Sequence, residues 1–255
     1  MKVKELYSYL DKRIPKSLSY DWDNDGLMCA SDTEREVKKV LVCLDVSDDI
    51  VKRAEAEDFD VILSHHPLIF KGVKTVTDSS GVSGRVIRLV KSNIAVMSFH
   101  TRFDALDGGV NDVLAELLGL ENTEKMMSGG IPAGRIGNLS KETDIEDFAG
   151  IVKEKLGCPF VSYSVCSGKV HRVALVGGSG GDFCFEAANA GADTFLSGTV
   201  GYHTMTEAAS LGMNIIEAGH YYTENPSCKA LAALIGEADK KIKTVICGSE
   251  TVFTV

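Results

Sequence analysis

Residues 37–66 lie on residues 170–199 without a gap at an offset of 133, and this repeat constrains the fold more than any other feature of the chain. Val37, Val40, Asp49, Ala54, Asp60, Leu63 and Ser64 meet Val170, Val173, Asp182, Ala187, Asp193, Leu196 and Ser197. Each window reads as strand, helix, strand, the signature of a βαβ unit. At an offset of 120, His100 falls on His220 and Asp104 on Glu224. Two related α/β halves are therefore expected, each presenting His-x-x-x-carboxylate after a strand. Parallel α/β sheets place ligands beyond the carboxyl ends of their strands, so the repeat predicts a pseudo-symmetric site.

The rest of the chain keeps the same rhythm. Helices are expected over 2–10 (ended near Pro15), 48–57, 85–91, 110–118, 145–156, 183–190 and 202–211, with a closing helix from Pro226 to about 238. Strands are expected over 40–45, 60–64, 95–99, 135–139, 173–176, 194–197, 214–218 and 244–247. Gly129, Gly130 and Pro132 read as a break. The expected lobes are 1–125 with 219–255, and 126–218. A chain of 255 residues can fill one large core or two smaller ones.

Bulk properties narrow the function. A net charge of −9 argues against a general nucleic-acid surface, which needs clustered Lys and Arg. No apolar run approaches the roughly 20 residues that span a bilayer, and residues 1–6 show no signal-peptide core. The seven cysteines are scattered, odd in number and never spaced Cys-x-x-Cys, so they read as buried free thiols in a reducing cytoplasm.

Four of the six histidines fall in three motifs: Ser64-His65-His66-Pro67, His100-Thr101-Arg102-Phe103-Asp104 and Gly219-His220-Tyr221-Tyr222-Thr223-Glu224. Each follows an apolar run, and imidazoles with carboxylates at strand ends are what divalent transition metals need. Taken alone, His65 and His66 fit equally well as hydrogen-bonding residues at a turn, and Glu224 as a helix-cap or dipole partner. If the turn after Gly219 is helical, His220 and Glu224 share one face. Together the three motifs favour metal. They offer more ligands than one tetrahedral ion uses, which points to two ions about 3.5–4 Å apart, as in two-metal hydrolases.

Other motifs read more plainly. Gly177-Gly178-Ser179-Gly180-Gly181 has bare amides that could hold a phosphate, but a tight structural turn fits it better. His203 could line the site or be a packed or surface residue, and nothing is expected of His171. Trp22-Asp23-Asn24-Asp25-Gly26 is turn chemistry whose acids could in principle meet substrate or metal. Met126 and Met127 read as apolar packing.

Over nearly its whole length the chain resembles the NIF-three-like dinuclear-metal proteins, often described as GTP cyclohydrolase I type 2. The resemblance is carried by residues 22–27, the three histidine motifs and the Gly-Ser-Gly turn at 178–180. It implies an α/β fold of two related lobes with mixed or parallel sheets and a metal site at the inter-lobe cleft. It also implies His65, His66, Asp104, His220 and Glu224 as ligands of two divalent ions (Zn, Fe, Mn or Co), with Asp104 or Glu224 placed to bridge. His100 would be a further ligand or a catalytic proton shuttle. A cytoplasmic homohexameric ring, a trimer of dimers, is implied as well. Two departures from the family pattern stand out: Arg102-Phe103 replaces small or polar residues, which bears on pocket shape, and Gly198-Thr199 stands where members often carry an acid. The leading expectation is a metal-dependent hydrolase of a nucleotide or other phosphorylated small molecule. The alternative is a metal-binding regulatory or scaffold ring that binds a protein or nucleic acid without turnover; direct DNA binding is disfavoured by the acidity.

Overall fold

The apolar runs of the first half form parallel strands in the structure, a computed structural model that describes residues 1–78 and 81–248, the side chains of 208 and 209 aside. The chain divides into two units. Of the described residues, 1–103 and 228–248 form the first, and 104–227 the second.

In the first unit, β1 (Gly26–Cys29), β2 (Lys39–Cys43), β3 (Val61–Ser64), β4 (Ala95–Ser98) and β11 (Lys243–Ile246) form a sheet in the order β1-β4-β3-β2-β11. The neighbours from β4 to β11 run parallel, and β1 pairs antiparallel with β4. Strands β3 and β4 are buried throughout, which is why they read as continuous apolar runs. Helices α1 (Val3–Arg13), α2 (Asp48–Ala56) and α3 (Gly81–Lys91) belong to this unit, and the division falls within α4 (Thr101–Ala105). Ser47 caps α2, its Oγ accepting from the Ile50 amide. Leu41, Ile50, Phe59, Ile62, Leu89 and Val96 centre the core.

The second unit holds α5 (Val110–Leu118), β5 (Glu121–Ser128), β6 (Ile131–Asp144), α6 (Ile145–Leu156), β7 (Ser162–Ser164) and β8 (Lys169–Ser179). There follow α7 (Cys184–Asn189), β9 (Thr194–Thr199), α8 (Tyr202–Glu207), β10 (Asn214–Glu217) and α9 (His220–Glu224). Its strands are ordered β5-β6-β8-β9-β10-β7. The closing helix, α10 (Cys228–Ala238), returns to the first unit.

The repeat is a structural one. Val40 pairs with Val61 in the first sheet as Val173 pairs with Thr194 in the second, each partner displaced by 133. In both sheets the strand beyond the third repeat position is an antiparallel edge, β1 on β4 and β7 on β10. One side-chain device recurs as well. Asp60 Oδ2 accepts the amides of Lys38 and Lys39 at 2.7 and 2.9 Å, and Asp193 Oδ2 those of Arg172 and His171 at 2.7 and 2.9 Å. Each carboxylate thus ties the start of one strand to the start of the next.

Some expectations shift. The Gly-rich break is a two-residue hairpin turn: Ser128 pairs with Ile131, and Gly129 and Gly130 take φ of 58° and 85°, which glycine adopts without strain. Strand β5 is almost wholly exposed and polar, so it carries no apolar signal. Within it Met126 is buried in the core and Met127 is exposed. Strand β6 runs well beyond the expected 135–139. The lobe divisions read at 125/126 and 218/219 fall instead at 103/104 and 227/228. The reason is packing: α5 lies on β6 and β8, and α9 on β8 and β9, so both helices belong to the second unit. None of the seven cysteines is in a disulfide; five are buried, but Cys166 is exposed and Cys247 half-buried. No helix among the described residues is long and apolar enough to cross a membrane.

Candidate metal centre

In the first unit, His65 and His66 follow β3 and His100 follows β4, so neighbouring parallel strands deliver all three to one sheet end. One ring nitrogen of each lies within 4.8 Å of the others. Ring centroids are 5.0 Å apart for His65–His66, 5.3 Å for His65–His100 and 5.6 Å for His66–His100.

Each imidazole is held by its Nδ1. His65 Nδ1 meets the Phe99 carbonyl at 3.0 Å, His66 Nδ1 the Asp45 carboxylate at 2.8 Å, and His100 Nδ1 the Asp23 carboxylate at 2.9 Å. An Nδ1–H given to an oxygen acceptor leaves Nε2 with its lone pair, the tautomer that ligates a metal or accepts a proton. Three histidines prepared in this way at one strand end fit a divalent-metal site.

The second unit carries a histidine–carboxylate pair of its own. His220 and Glu224 share one face of α9, with Nε2 2.9 Å from Oε2, and Glu224 is buried. The glycine run at the end of β8 is shaped around them. A Cβ on Gly178 would stand 2.0 Å from Glu224 Oε1 and 3.1 Å from His220 Nε2, and Gly178 has a φ of 67°. The amides of Gly177, Gly178 and Gly180 donate to Asn111 Oδ1, Thr223 Oγ1 and Ser197 Oγ. The loop is thus a close-packing turn whose amides serve the protein itself. Asn111 also donates through Nδ2 to the Asp104 carbonyl at 3.0 Å, fixing the end of α4 to this loop.

The motif at 22–26 does more than turn the chain. Asp23 is buried and accepts from His100 Nδ1, the Thr101 amide at 3.0 Å and Thr101 Oγ1 at 2.6 Å. Burial alone would raise the Asp23 carboxyl, but the hydrogen bonds from His100 and Thr101 outweigh it and hold the group at about 2. Asp23 therefore stabilises the fold above its ordinary value of 3.8, and that contribution is lost as pH falls toward 2. Asp25 accepts from Arg102 Nε at 3.0 Å and Lys16 Nζ at 2.6 Å. Arg102 is fully buried; its Nη1 reaches Asp11 and the Ile14 carbonyl, and its guanidinium lies over Phe99. Phe103 is buried against the His65 ring. Sequence reading missed Asp23 and Asp25 as supports of the His100 helix, because acids in an Asp-Asn-Asp-Gly run look like turn formers.

His203 and Thr199 are exposed. Neither His203 nor His171 joins a group of candidate ligands among the described residues.

The chain is thus an α/β protein of two units, with candidate metal-ligating histidines at strand ends in one and a histidine–glutamate pair in the other. The family model Duf34/NIF3 (NGG1p interacting factor 3) matches residues 1–251, and the chain belongs to that family. A protein of Clostridium perfringens described as a GTP cyclohydrolase 1 type 2 homolog is 32% identical over 231 residues, covering 89% of this chain and 88% of its own. A homolog of the same description from Clostridium acetobutylicum is 31% identical over 237 residues, covering 89% and 87%. The crystal structure of a hypothetical protein of Staphylococcus aureus superposes with a TM-score of 0.89 at 27% identity, covering all of this chain and 99% of that one.

Proposed function

We propose that the chain is a metal-dependent hydrolase of nucleotides or related phosphorylated small molecules. Its ligands to two divalent cations would be His65, His66, Asp104, His220 and Glu224. The observation that carries the reading is the set of three imidazoles, each fixed through Nδ1 by an oxygen acceptor. Bound there, divalent ions would supply Lewis acidity and lower the pKa of a water. The protein's own part is to hold the imidazoles in one tautomer and to move a proton. His100 is the residue assigned to that transfer, since Asp23 orients its ring and would stabilise the imidazolium it forms. The name shared by the relatives, GTP cyclohydrolase 1 type 2 homolog, suggests a guanine nucleotide as the first substrate to try. The family resemblance adds a homohexamer to the proposal.

A turnover screen of nucleoside phosphates and simple phosphoesters with Mn, Zn, Fe or Co tests this. Metal-dependent turnover is expected, with kcat reduced about 100- to 10,000-fold in His100→Ala, the range general acid–base catalysis supplies. Turnover that survives His65→Ala and Glu224→Ala unchanged would refute the mechanism. Tight capture of a macromolecular partner with no turnover would favour a regulatory or scaffold role.

A further inference from the structure

Two exposed aromatic rings, Trp22 and Phe70, meet the His100 imidazole at the first unit's surface. Trp22 stacks on Tyr20 with centroids 5.5 Å apart and planes 9° apart. Phe70 stands nearly perpendicular to Trp22, at 6.2 Å and 81°. Both rings reach His100, Trp22 at 6.3 Å and Phe70 at 6.0 Å. Yet Trp22 is 61% exposed and Phe70 46% exposed. Large aromatic rings are usually buried for most of their surface, so two left open side by side mark a binding surface.

The corner is built rather than loose. Asn24 Nδ2 donates to the Ile69 carbonyl, tying the Trp22 segment to the Phe70 segment. Next to Trp22 in sequence, Asp23 is buried and bonded to His100 and Thr101, so the base of the corner is fixed to the imidazole itself. Just past Phe70, the exposed Lys71 and Lys74 supply positive charge in an otherwise acidic chain. A flat face, a perpendicular wall and nearby cations suit a planar ring attached to a phosphate. A flexible acyl chain would have no use for the right angle.

We propose that Trp22 and Phe70 seat a nucleobase, which stacks on one ring and meets the edge of the other beside His100. Lys71 and Lys74 serve the phosphate of the same nucleotide. Every base offers a π-face, so the contact selects nucleotides over simple phosphoesters without choosing among bases. This rests on the nucleotide reading above and names the residues that would carry it.

Trp22 is the chain's only tryptophan, so its fluorescence reports on the corner directly. Metal-loaded full-length protein is titrated with GMP and, separately, with ribose 5-phosphate. GMP is expected to quench the emission saturably, and ribose 5-phosphate to leave it unchanged at the same concentrations. By calorimetry, Trp22→Ala and Phe70→Ala are each expected to weaken GMP binding about tenfold or more, with Trp22→Phe restoring most of the loss. Circular dichroism and metal content, measured on every variant, separate the corner from the metal centre. Unchanged GMP affinity in a folded, metal-loaded Trp22→Ala overturns the proposal, as does equal binding of ribose 5-phosphate or the absence of quenching at millimolar GMP. Quenching by GMP in protein that holds no metal supports the corner and strikes only the metal reading.

Discussion

Arg102→Leu is expected to destabilise the chain by about 3–5 kcal/mol, the cost of removing one partner from a buried charged network. The guanidinium is fully buried and bonded to Asp25, Asp11 and the Ile14 carbonyl, and the Asp25 side chain is itself buried. Leucine fills part of the volume but leaves the Asp25 carboxylate with Lys16 as its main cation. Domains are typically stable by about 5–15 kcal/mol, so such a loss would lower the urea midpoint severely or leave the chain insoluble. Arg102→Lys should fall between, since a single ammonium cannot reproduce the planar fork that reaches three acceptors. A loss below about 1 kcal/mol for Arg102→Leu would show that the network is only a surface feature. The residue met in the sequence as a departure bearing on pocket shape is, in the structure, the anchor of the helix that follows His100.

Gly178→Ala is expected to damage the His220–Glu224 pair most. The new methyl would stand 2.0 Å from Glu224 Oε1, well inside contact distance, so the carboxylate must move. The left-handed backbone adds about 1–2 kcal/mol of strain for any L-residue with a Cβ. Because Glu224 is buried and its neighbour Thr223 is bonded to the Gly178 amide, the displacement would carry α9 with it. Divalent-metal affinity should fall on the order of 100-fold, as when outer-shell supports of a metal site are removed. Isothermal titration with Mn or Zn, beside a denaturation curve, checks this. Gly191, before the start of β9 and so at the other end of the same sheet, is a control: it also has a positive φ, 80°, but an added Cβ there meets open space, so Gly191→Ala should cost stability and spare metal affinity.

Periodicity made much of this fold legible. The βαβ repeat at 133 residues survives as matching strand register and a matching Asp60/Asp193 device, because buried parallel strands write themselves as apolar runs. Helices such as 145–156 were marked by amphipathic spacing and stopped by a glycine, here Gly157. Strand β5 was invisible because only Met126 along it is buried, and β1 and β7 because they are short edge strands. The unit boundary was misplaced because it depends on which sheet α5 and α9 lie against, a tertiary choice that local pattern does not encode.

The candidate site was legible in its histidines and much less so in what holds them. Imidazoles are few and their spacing stands out, but Asp23, Asp45 and Asn111 are ordinary residues until the chain folds. Asp23 lies 77 positions from the ring it orients. The glycine loop could be read as a phosphate cradle or a tight turn; only the Cβ geometry at Gly178 and the occupied amides at 177, 178 and 180 decide for the turn.

If His65, His66, Asp104, His220 and Glu224 hold metal, the ions travel with the purified chain. Elemental analysis by inductively coupled plasma mass spectrometry, on untagged protein and on Glu224→Ala, tests it most directly. About two divalent ions per chain are expected in the wild type, the complement of a two-metal hydrolase, and fewer in the variant. A wild-type protein that holds no ion, even after anaerobic reconstitution with Fe, Mn, Zn and Co, would contradict that expectation.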